Sequence, residues 1–263
     1  MFSIFKRPKK KIGIAFGGGG SRGVAHLGII QVLQEENVNI SFVSGTSIGA
    51  LVGAFFADKR PIDEMIEIVD SLGYKDFMSL DLNLQGFSSS ERTVGKLVKK
   101  YIKHDSFSGL GIPFSVVAAD ICNGVPVVLD EGKLSKSVSM SANFPMVFSP
   151  IKHDENYYVD GGLFVNVPAK QVRDLGADIV IGIDLNPNTK FSCNRKSALD
   201  MANRSIDLLI DGQNPAQHAD LLVRPLKEFV SFYNMKNKKK LIEMGREAAY
   251  KEIIPFLIKK KLI

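Results

Sequence analysis

One serine between two glycines has the clearest capacity for chemistry in this chain. Ser47 lies in the segment GTSIG, with Gly45 and Gly49 on either side, between an apolar strand and a helix of small residues. Gly-x-Ser-x-Gly at a strand-to-helix turn is typical of a nucleophile elbow, which exposes a hydroxyl at the edge of a sheet. The two glycines suit a turn that brings the strand and helix backbones close together. A serine that merely caps a helix produces the same pattern, so the motif requires partners elsewhere in the chain.

A glycine-rich loop at residues 17–23 (GGGGSRG) is the second feature that could do chemistry. Glycines can direct successive backbone N–H groups into one concavity, and Arg22 adds a positive charge beside it. The loop follows a strand at residues 12–16, which we expect to neighbour the strand that precedes Ser47. Both loops would then open at the same edge of the sheet, where the N–H groups could stabilise an oxyanion.

The same loop also matches the dinucleotide-binding pattern Gly-x-Gly-x-x-Gly, through Gly18, Gly20 and Gly23. That function requires an acidic residue at the end of the second strand, to bind a ribose. The second strand here leads into serine, glycine and threonine, which disfavours a dinucleotide site. A P-loop is excluded because no Gly-Lys-Ser/Thr closes the loop.

A nucleophilic serine needs a base, and Asp160 is the strongest candidate. It follows an apolar strand end and precedes Gly161 and Gly162, so its carboxylate should emerge on a tight turn. Asp-Gly-Gly alone is also an ordinary turn, so this assignment depends on the other two motifs. The four histidines of the sequence, which are His26, His104, His153 and His218, lie in less favourable contexts. Among them, His153 is the best alternative base.

The charge of the chain is unevenly distributed. Lys and Arg number 34 against 28 Asp and Glu, a net charge of +6, and the excess lies at residues 6–11, 236–240 and 259–261. These clusters are either solvated tails or surfaces for an anionic membrane, where each lysine is worth about 1 kcal/mol. Nucleic acid is not expected as a partner, because no basic segment carries interleaved aromatic residues for base stacking.

Two cysteines, Cys122 and Cys193, are too few for a disulfide framework, which favours an intracellular protein. No signal-peptide core follows the basic N-terminus, and no apolar run is long enough to span a bilayer. We therefore expect a cytoplasmic protein, whose membrane contact, where it occurs, is peripheral at the inner face.

Alternating strands and helices predict an α/β fold with a mostly parallel sheet. The strand at 12–16, a helix at 24–36 and the strand that ends at Ser44 form a βαβ unit, a hairpin is predicted within 115–130, and 178–184 is predicted to be a central strand. At 263 residues with 45% hydrophobic content, the chain can bury one large core. We expect a basic tail at 1–10 and a single α/β domain at 11–263, with a helical C-terminal part at 197–263.

Residues 73–87 show neither a helical nor a strand period. They are predicted to form either an irregular surface connection or a mobile apolar flap over the site.

Together, the glycine loop with Arg22, the elbow around Ser47 and the turn at Asp160 resemble the patatin-like phospholipase family, in its small bacterial form. The resemblance spans residues 11–185 and includes the order and spacing of the three motifs. It implies a three-layer α/β/α fold. It also implies a Ser–Asp dyad in which Ser47 attacks a fatty-acyl ester of a phospholipid or lysophospholipid and Asp160 is the base, with no metal or other cofactor. The oxyanion and substrate-binding residues that it implies are Gly18, Gly19, Gly20, Arg22 and Gly23.

A different hypothesis keeps this fold without catalysis, as a lipid-binding or acyl-binding regulatory protein. The intact serine, aspartate and glycine loop argue against it. One small difference from the family pattern is that Asp160 precedes Gly-Gly rather than Gly-Ala.

Overall fold

A computed structural model describes residues 10–72, 89–145, 147–186, 198–228, 230 and 237–263. The predicted flap at 73–87, residues 1–9 of the basic tail, and Cys193 lie outside the described residues. Among the described residues, no helix combines the length and the apolar character needed to cross a bilayer.

An eight-stranded mixed sheet forms the centre of the protein, with the strand order β5-β6-β3-β2-β1-β7-β8 and β4 also paired to β3. The sheet is parallel among five of its strands, β1, β2, β3, β7 and β8. The other three strands, β4, β5 and β6, pair antiparallel with their neighbours. The strands are β1 (Ile12–Phe16), β2 (Ile40–Thr46), β3 (Phe114–Asp120), β4 (Val125–Leu129), β5 (Ile151–His153), β6 (Asn156–Asp160), β7 (Ile179–Ile183) and β8 (Leu221–Val223).

Nine α-helices in the described residues flank this sheet. They are α1 (Val24–Glu35), α2 (Ile48–Ala57), α3 (Ile62–Ser71), α4 (Val94–Tyr101), α5 (Leu134–Ser141), α6 (Ala169–Asp174), α7 (Ala198–Asp211), α8 (Lys238–Ala248) and α9 (Ile254–Lys259), with a π-helical turn (Ala249–Ile253) between the last two. The expected α/β fold, with a mostly parallel sheet between helical layers, is confirmed.

Large and small side chains alternate along the central strands, so the two faces of the sheet carry side chains of different size. On β1, Ile14 and Phe16 pack into the large core on the side of α1 and α2. Ala15 faces the opposite side, where it packs with Val167 and Val172 around α6. A Cβ atom at Gly13 would overlap the side chain of Val172, so only the smallest residues let α6 approach this closely.

The hairpin predicted within 115–130 is confirmed as β3 and β4, but a second hairpin was not predicted. His153 ends β5, and Asp154 follows it with a φ of 52°. The pairing of β5 with β6 orients the strand that ends at Asp160.

The register along β3 brings the ends of two other strands together. Thr46 at the end of β2 pairs with Val117, and Asp160 at the end of β6 pairs with Ala118, the next residue of β3. Because β4 occupies the other edge of β3 over the same residues, β2 and β6 must share one edge. Since β6 runs antiparallel to β3, the two strands end facing each other.

Two glycines let the C-terminal helix α8 approach α1 closely. A Cβ atom at Gly28 would overlap the carbonyl oxygen of Ile242, and one at Gly245 would overlap that of Ala25. The same helix α1 carries His26, whose Nε2 lies 2.9 Å from the carbonyl oxygen of Gly17. The position of α1, and through it the start of the glycine loop, therefore depends on α8.

One lysine of the basic cluster at 236–240, Lys238, makes structural contacts. Lys238 Nζ donates to the carbonyl oxygens of Val69 and Leu72, both at 2.7 Å, and so binds the C-terminal end of α3. A lysine at the end of a helix satisfies carbonyl groups that lack helical partners.

We expect Gly28→Ala to lower the free energy of unfolding by at least about 2 kcal/mol, because the added methyl group must push α8 away from α1. Urea denaturation would measure the change. Gly212→Ala is the matched control, since the nearest atom to a Cβ there lies at 3.4 Å, an ordinary contact distance. Equal stability of the two variants would contradict the close packing of α1 and α8.

Candidate active site

The backbone of Ser47 adopts a conformation that side chains rarely occupy, with φ of 58° and ψ of −127°. Such strain persists only where the surrounding structure enforces it. A Cβ atom at Gly45 would overlap the carbonyl oxygen of Gly49, and one at Gly49 would overlap that of Phe16. The two glycines therefore allow the sharp turn between β2 and α2 that presents the Ser47 hydroxyl.

Hydrogen bonds on both sides of Ser47 hold this conformation. Its amide donates to Ser141 Oγ at 2.9 Å, and Ser141 Oγ in turn donates to the carbonyl oxygen of Val117 at 2.6 Å. The carbonyl oxygen of Ser47 accepts from the amides of Ala50 and Leu51, at 2.9 and 3.3 Å, in the first turn of α2. Ser141 thus connects Ser47 to β3.

Asp160 ends β6 with its carboxyl group buried beside Ser47. The amide of Gly162 donates to Oδ1 at 2.8 Å, and the Asp160 amide donates to the carbonyl oxygen of Asn143 at 3.0 Å. Oδ2 is buried and accepts no hydrogen bond from the described residues. This oxygen is therefore available to take a proton.

Burial raises the pKa of Asp160 from 3.8 to about 6, and the Ser47 hydroxyl and the Gly162 amide oppose this rise. The hydroxyl thus lies close enough to favour the carboxylate, although no hydrogen bond of normal geometry reaches Oδ2. In unliganded sites such contacts are often long and tighten when substrate binds. A carboxyl group with this pKa is largely ionised at neutral pH, so it can accept a proton. Its proton affinity is also high enough for it to hold that proton and donate it afterwards.

The glycine loop passes directly beside Ser47, where a Cβ atom at Gly18 would lie 3.1 Å from Ser47 Cβ. The amide of Gly18 donates to the carbonyl oxygen of Asn166 at 3.2 Å. It is therefore already engaged, which corrects the expectation that all three glycine amides face an oxyanion. The amides of Gly19 and Gly20 donate to none of the described residues.

Arg22 lies behind the loop rather than beside its concavity. Its guanidinium is 1% exposed, and it donates to the carbonyl oxygen of Val230 at 2.7 Å and to Asn186 Oδ1 at 3.1 Å. Asp207 Oδ1 of α7 lies 3.5 Å from the same group. Gly23 likewise packs against Ile48, where a Cβ atom would overlap the isoleucine side chain. These two residues fix the loop and do not line the cleft described next.

An apolar cleft with a cavity volume of about 120 Å³ opens above Ser47 and Asp160. The glycine loop, Ser47, Asp160, Gly162 and Asn166 form its polar floor. Its apolar walls are Ile48, Leu51, Val94, Phe144, Val147, Phe148, Leu163, Ile206 and Ile210.

The histidines do not line the cleft in the part of the chain that the structure describes. Burial lowers the pKa of His26 to about 4, so it is neutral and its Nε2–H donates to the carbonyl oxygen of Gly17. His153 Nδ1 lies 3.0 Å from Lys136 Nζ on the surface.

Three polar residues of the site were not predicted from the sequence. Ser141 anchors the Ser47 amide, Asn143 accepts from the Asp160 amide, and Asn166 accepts from the Gly18 amide and lines the cleft. The only local signal was their position, since Asn143 directly precedes the Phe-Pro loop and Asn166 follows Asp160 by six residues.

A family profile described as patatin-like phospholipase matches residues 14–173 of this chain. The match contains the glycine loop, the elbow and the Asp160 turn.

Several curated proteins are similar over two-thirds of the chain. An uncharacterised NTE family protein of Mycobacterium bovis is 30% identical over 179 residues, which cover 67% of this chain and 49% of that protein. Patatin-like phospholipase domain-containing protein 7 of Rattus norvegicus and neuropathy target esterase sws of Drosophila melanogaster are each 32% identical, over 66% of this chain and 13% of their own length. The similar region is thus half or less of each relative.

Among solved structures, VipD from Legionella pneumophila superposes with a TM-score of 0.63 at 13% identity, covering 93% of this chain and 66% of VipD. The type III effector protein ExoU superposes with a TM-score of 0.51 at 13% identity, covering 92% of this chain and 52% of ExoU. At such identities the likeness concerns the fold.

We expect the stability of the protein to decrease as Asp160 ionises. The folded chain binds this proton up to about pH 6 and the unfolded chain only up to 3.8, so the unfolding free energy falls with rising pH between these values. The difference corresponds to about 3 kcal/mol. Asp160→Asn abolishes this titration, so its stability relative to wild type should increase by up to about 3 kcal/mol from about pH 4 to about pH 8.

Urea denaturation at several pH values measures this change, and any constant effect of the substitution cancels. Asp174→Asn is the control, since Asp174 is an exposed partner of Lys170 and should show no comparable dependence. A pH-independent difference between Asp160→Asn and wild type would contradict the burial of an ionisable carboxyl group at this position.

Proposed function

Because this chain belongs to the patatin-like phospholipase family, we propose that it is a serine acyl hydrolase that cleaves fatty-acyl esters of phospholipids or lysophospholipids. The observation that carries the proposal is the buried carboxyl group of Asp160 beside the strained Ser47, both at the floor of an apolar cleft. Related proteins bear names such as neuropathy target esterase and lysophospholipase nte1, the latter 25% identical and from Aspergillus fumigatus. Those names describe the relatives and support an ester hydrolase of the lipid class here.

In the first half of the reaction, Ser47 Oγ attacks the ester carbonyl carbon while its proton moves to Asp160 Oδ2. The carbonyl oxygen becomes an oxyanion that the amides of Gly19 and Gly20 stabilise. When the tetrahedral intermediate collapses, the bond to the leaving oxygen breaks. Asp160 then returns the proton to that oxygen, and an alcohol departs.

In the second half, water attacks the acyl-enzyme and Asp160 accepts a proton from the water. The bond between the acyl carbon and Ser47 Oγ breaks, the serine regains its proton, and a fatty acid is released. The cycle uses one serine and one aspartate, and it requires neither a histidine nor a cofactor.

The walls of the cleft suit a lipid substrate, because they bury apolar surface without placing charged side chains near an acyl chain. Peripheral contact with an anionic surface remains part of this proposal. Lys259, Lys260 and Lys261 are exposed at the C-terminal end and could provide it.

We expect Ser47→Ala and Asp160→Asn each to lower kcat for a p-nitrophenyl acyl ester by at least about a thousandfold, since the two residues act as one unit. Steady-state hydrolysis measures this loss, and a fluorophosphonate probe should label the wild-type protein but not Ser47→Ala. His153→Ala is the control and should keep near-normal activity, because this half-exposed side chain pairs with Lys136 outside the cleft. Wild-type rates in either dyad variant would refute the assignment.

The pH dependence of kcat/KM should show an acid limb near pH 6. Asp160 must be ionised to accept the serine proton, and its pKa is raised to about 6, so activity falls tenfold per pH unit below that value. His26 does not produce this limb, since its pKa is about 4. A profile that stays flat down to about pH 4.5 would exclude Asp160 as the base.

A further inference from the structure

A glutamine beside the cleft contacts the turn that follows Asp160 at two points. Gln213 lies just after helix α7, is partly buried and does not line the cleft. Its Nε2 donates to the carbonyl oxygen of Gly162 at 2.8 Å, and its Oε1 accepts from the amide of Asn166 at 2.7 Å. One side chain therefore spans this turn, and it comes from beyond residue 173, where the match to the family profile ends.

The two hydrogen bonds determine the orientation of the Gln213 carboxamide. One backbone partner is an N–H donor and the other is a C=O acceptor, so only one orientation of the carboxamide satisfies both. Gly162 and Asn166 are themselves buried, and a buried backbone group without a partner would destabilise the fold. The glutamine thus supplies partners for two buried backbone groups of the turn.

Each of the two residues that Gln213 contacts supports a different part of the site. The amide of Gly162 donates to Asp160 Oδ1 at 2.8 Å. The carbonyl oxygen of Asn166 accepts from the amide of Gly18 at 3.2 Å. A single side chain is thus connected, through one residue in each direction, to the carboxyl group of Asp160 and to the glycine loop.

Asp160 is the only charged residue among the described residues that line the cleft. The polar groups that favour its carboxylate are the Ser47 hydroxyl and the Gly162 amide. Ser47 is held by Ser141 and by the first turn of α2, independently of Gln213. The hydrogen bond from Gly162 is therefore the contact to the carboxylate that depends on the glutamine.

We propose that Gln213 is a positioning residue of the reaction, an inference that rests on the proposed function. It holds the turn where the Gly162 amide reaches Asp160 Oδ1, and through Asn166 it fixes the glycine loop relative to that turn. Because Gln213 does not line the cleft, it acts through these neighbours and not on the substrate. A displacement of about 1 Å between reacting groups can lower a rate about a hundredfold, so a residue outside the cleft can affect the rate strongly.

Gln213→Met keeps a side chain of similar length but removes the carboxamide. We expect kcat for a p-nitrophenyl acyl ester to fall about tenfold at about pH 8 while KM changes less than about twofold, because the base is displaced and the cleft walls are not. The acid limb of kcat/KM should move up by about half a pH unit or more, since a weaker bond from Gly162 raises the pKa of Asp160. Gln217→Met is the matched control, because Gln217 is exposed in the same segment, and it should behave as wild type.

A merely structural role would lower the rate equally at every pH. An acid limb that stays at the wild-type pH in both Gln213→Met and Gln213→Ala therefore overturns the proposal, whether or not the rates fall.

Urea denaturation at several pH values tests the same contact without catalysis. The stability deficit of Gln213→Met relative to wild type should increase from about pH 5 to about pH 8, because the folded variant keeps the Asp160 proton to higher pH. A deficit that is the same at every pH would overturn the inference. If the wild-type protein hydrolyses no ester but the deficit increases with pH, the proposed function fails while the effect of Gln213 on Asp160 stands.

Discussion

Two strands that end facing each other along one edge of β3 determine where the site lies. Thr46 and Asp160 pair with consecutive residues of β3, so the elbow after β2 and the turn after β6 meet at one point. Neither turn could move without breaking the hydrogen bonds that pair its strand with β3. Val117 contributes further, since its carbonyl oxygen accepts from Ser141, which in turn holds the Ser47 amide. A Cβ atom at Gly161 would overlap the same carbonyl group of Val117, so the turn after Asp160 also packs closely against β3.

The electrostatics of the site depend on the buried carboxyl group of Asp160, one oxygen of which has no hydrogen-bond partner among the described residues. Burial raises the free energy of the ionised form, and proteins normally offset this with hydrogen bonds or a cation. In the described part of the chain, the Gly162 amide and the nearby Ser47 hydroxyl favour the carboxylate. Arg22, the nearest candidate cation in the sequence motif, faces Asp207 and Asn186 instead. In the proposed reaction, this raised pKa allows a single aspartate to serve as both base and acid near neutral pH, a function for which histidine is the more common residue.

Features of the site that depend on local backbone geometry were predictable from the sequence. Gly45 and Gly49 indicate a close strand-to-helix turn, and the apolar residues before Asp160 indicate a strand end. What could not be predicted depends on pairing between distant segments. The engagement of the Gly18 amide by Asn166 and the direction of Arg22 both follow from tertiary contacts that leave no periodic pattern. The same holds for Ser141, which is one of several serines in α5 and is distinguished only by facing the elbow.

The contact between α1 and α8 shows that the region of sequence similarity is smaller than the unit that folds. The family profile ends at residue 173, yet β7, which pairs with β1 along its whole length, begins at Ile179, and α8 begins at Lys238. The residues beyond the profile match supply one of the two strands that pair with β1. Neither Gly28 nor Gly245 can carry a side chain while α1 and α8 keep this separation, because the opposite backbone already occupies the space that a Cβ atom would need.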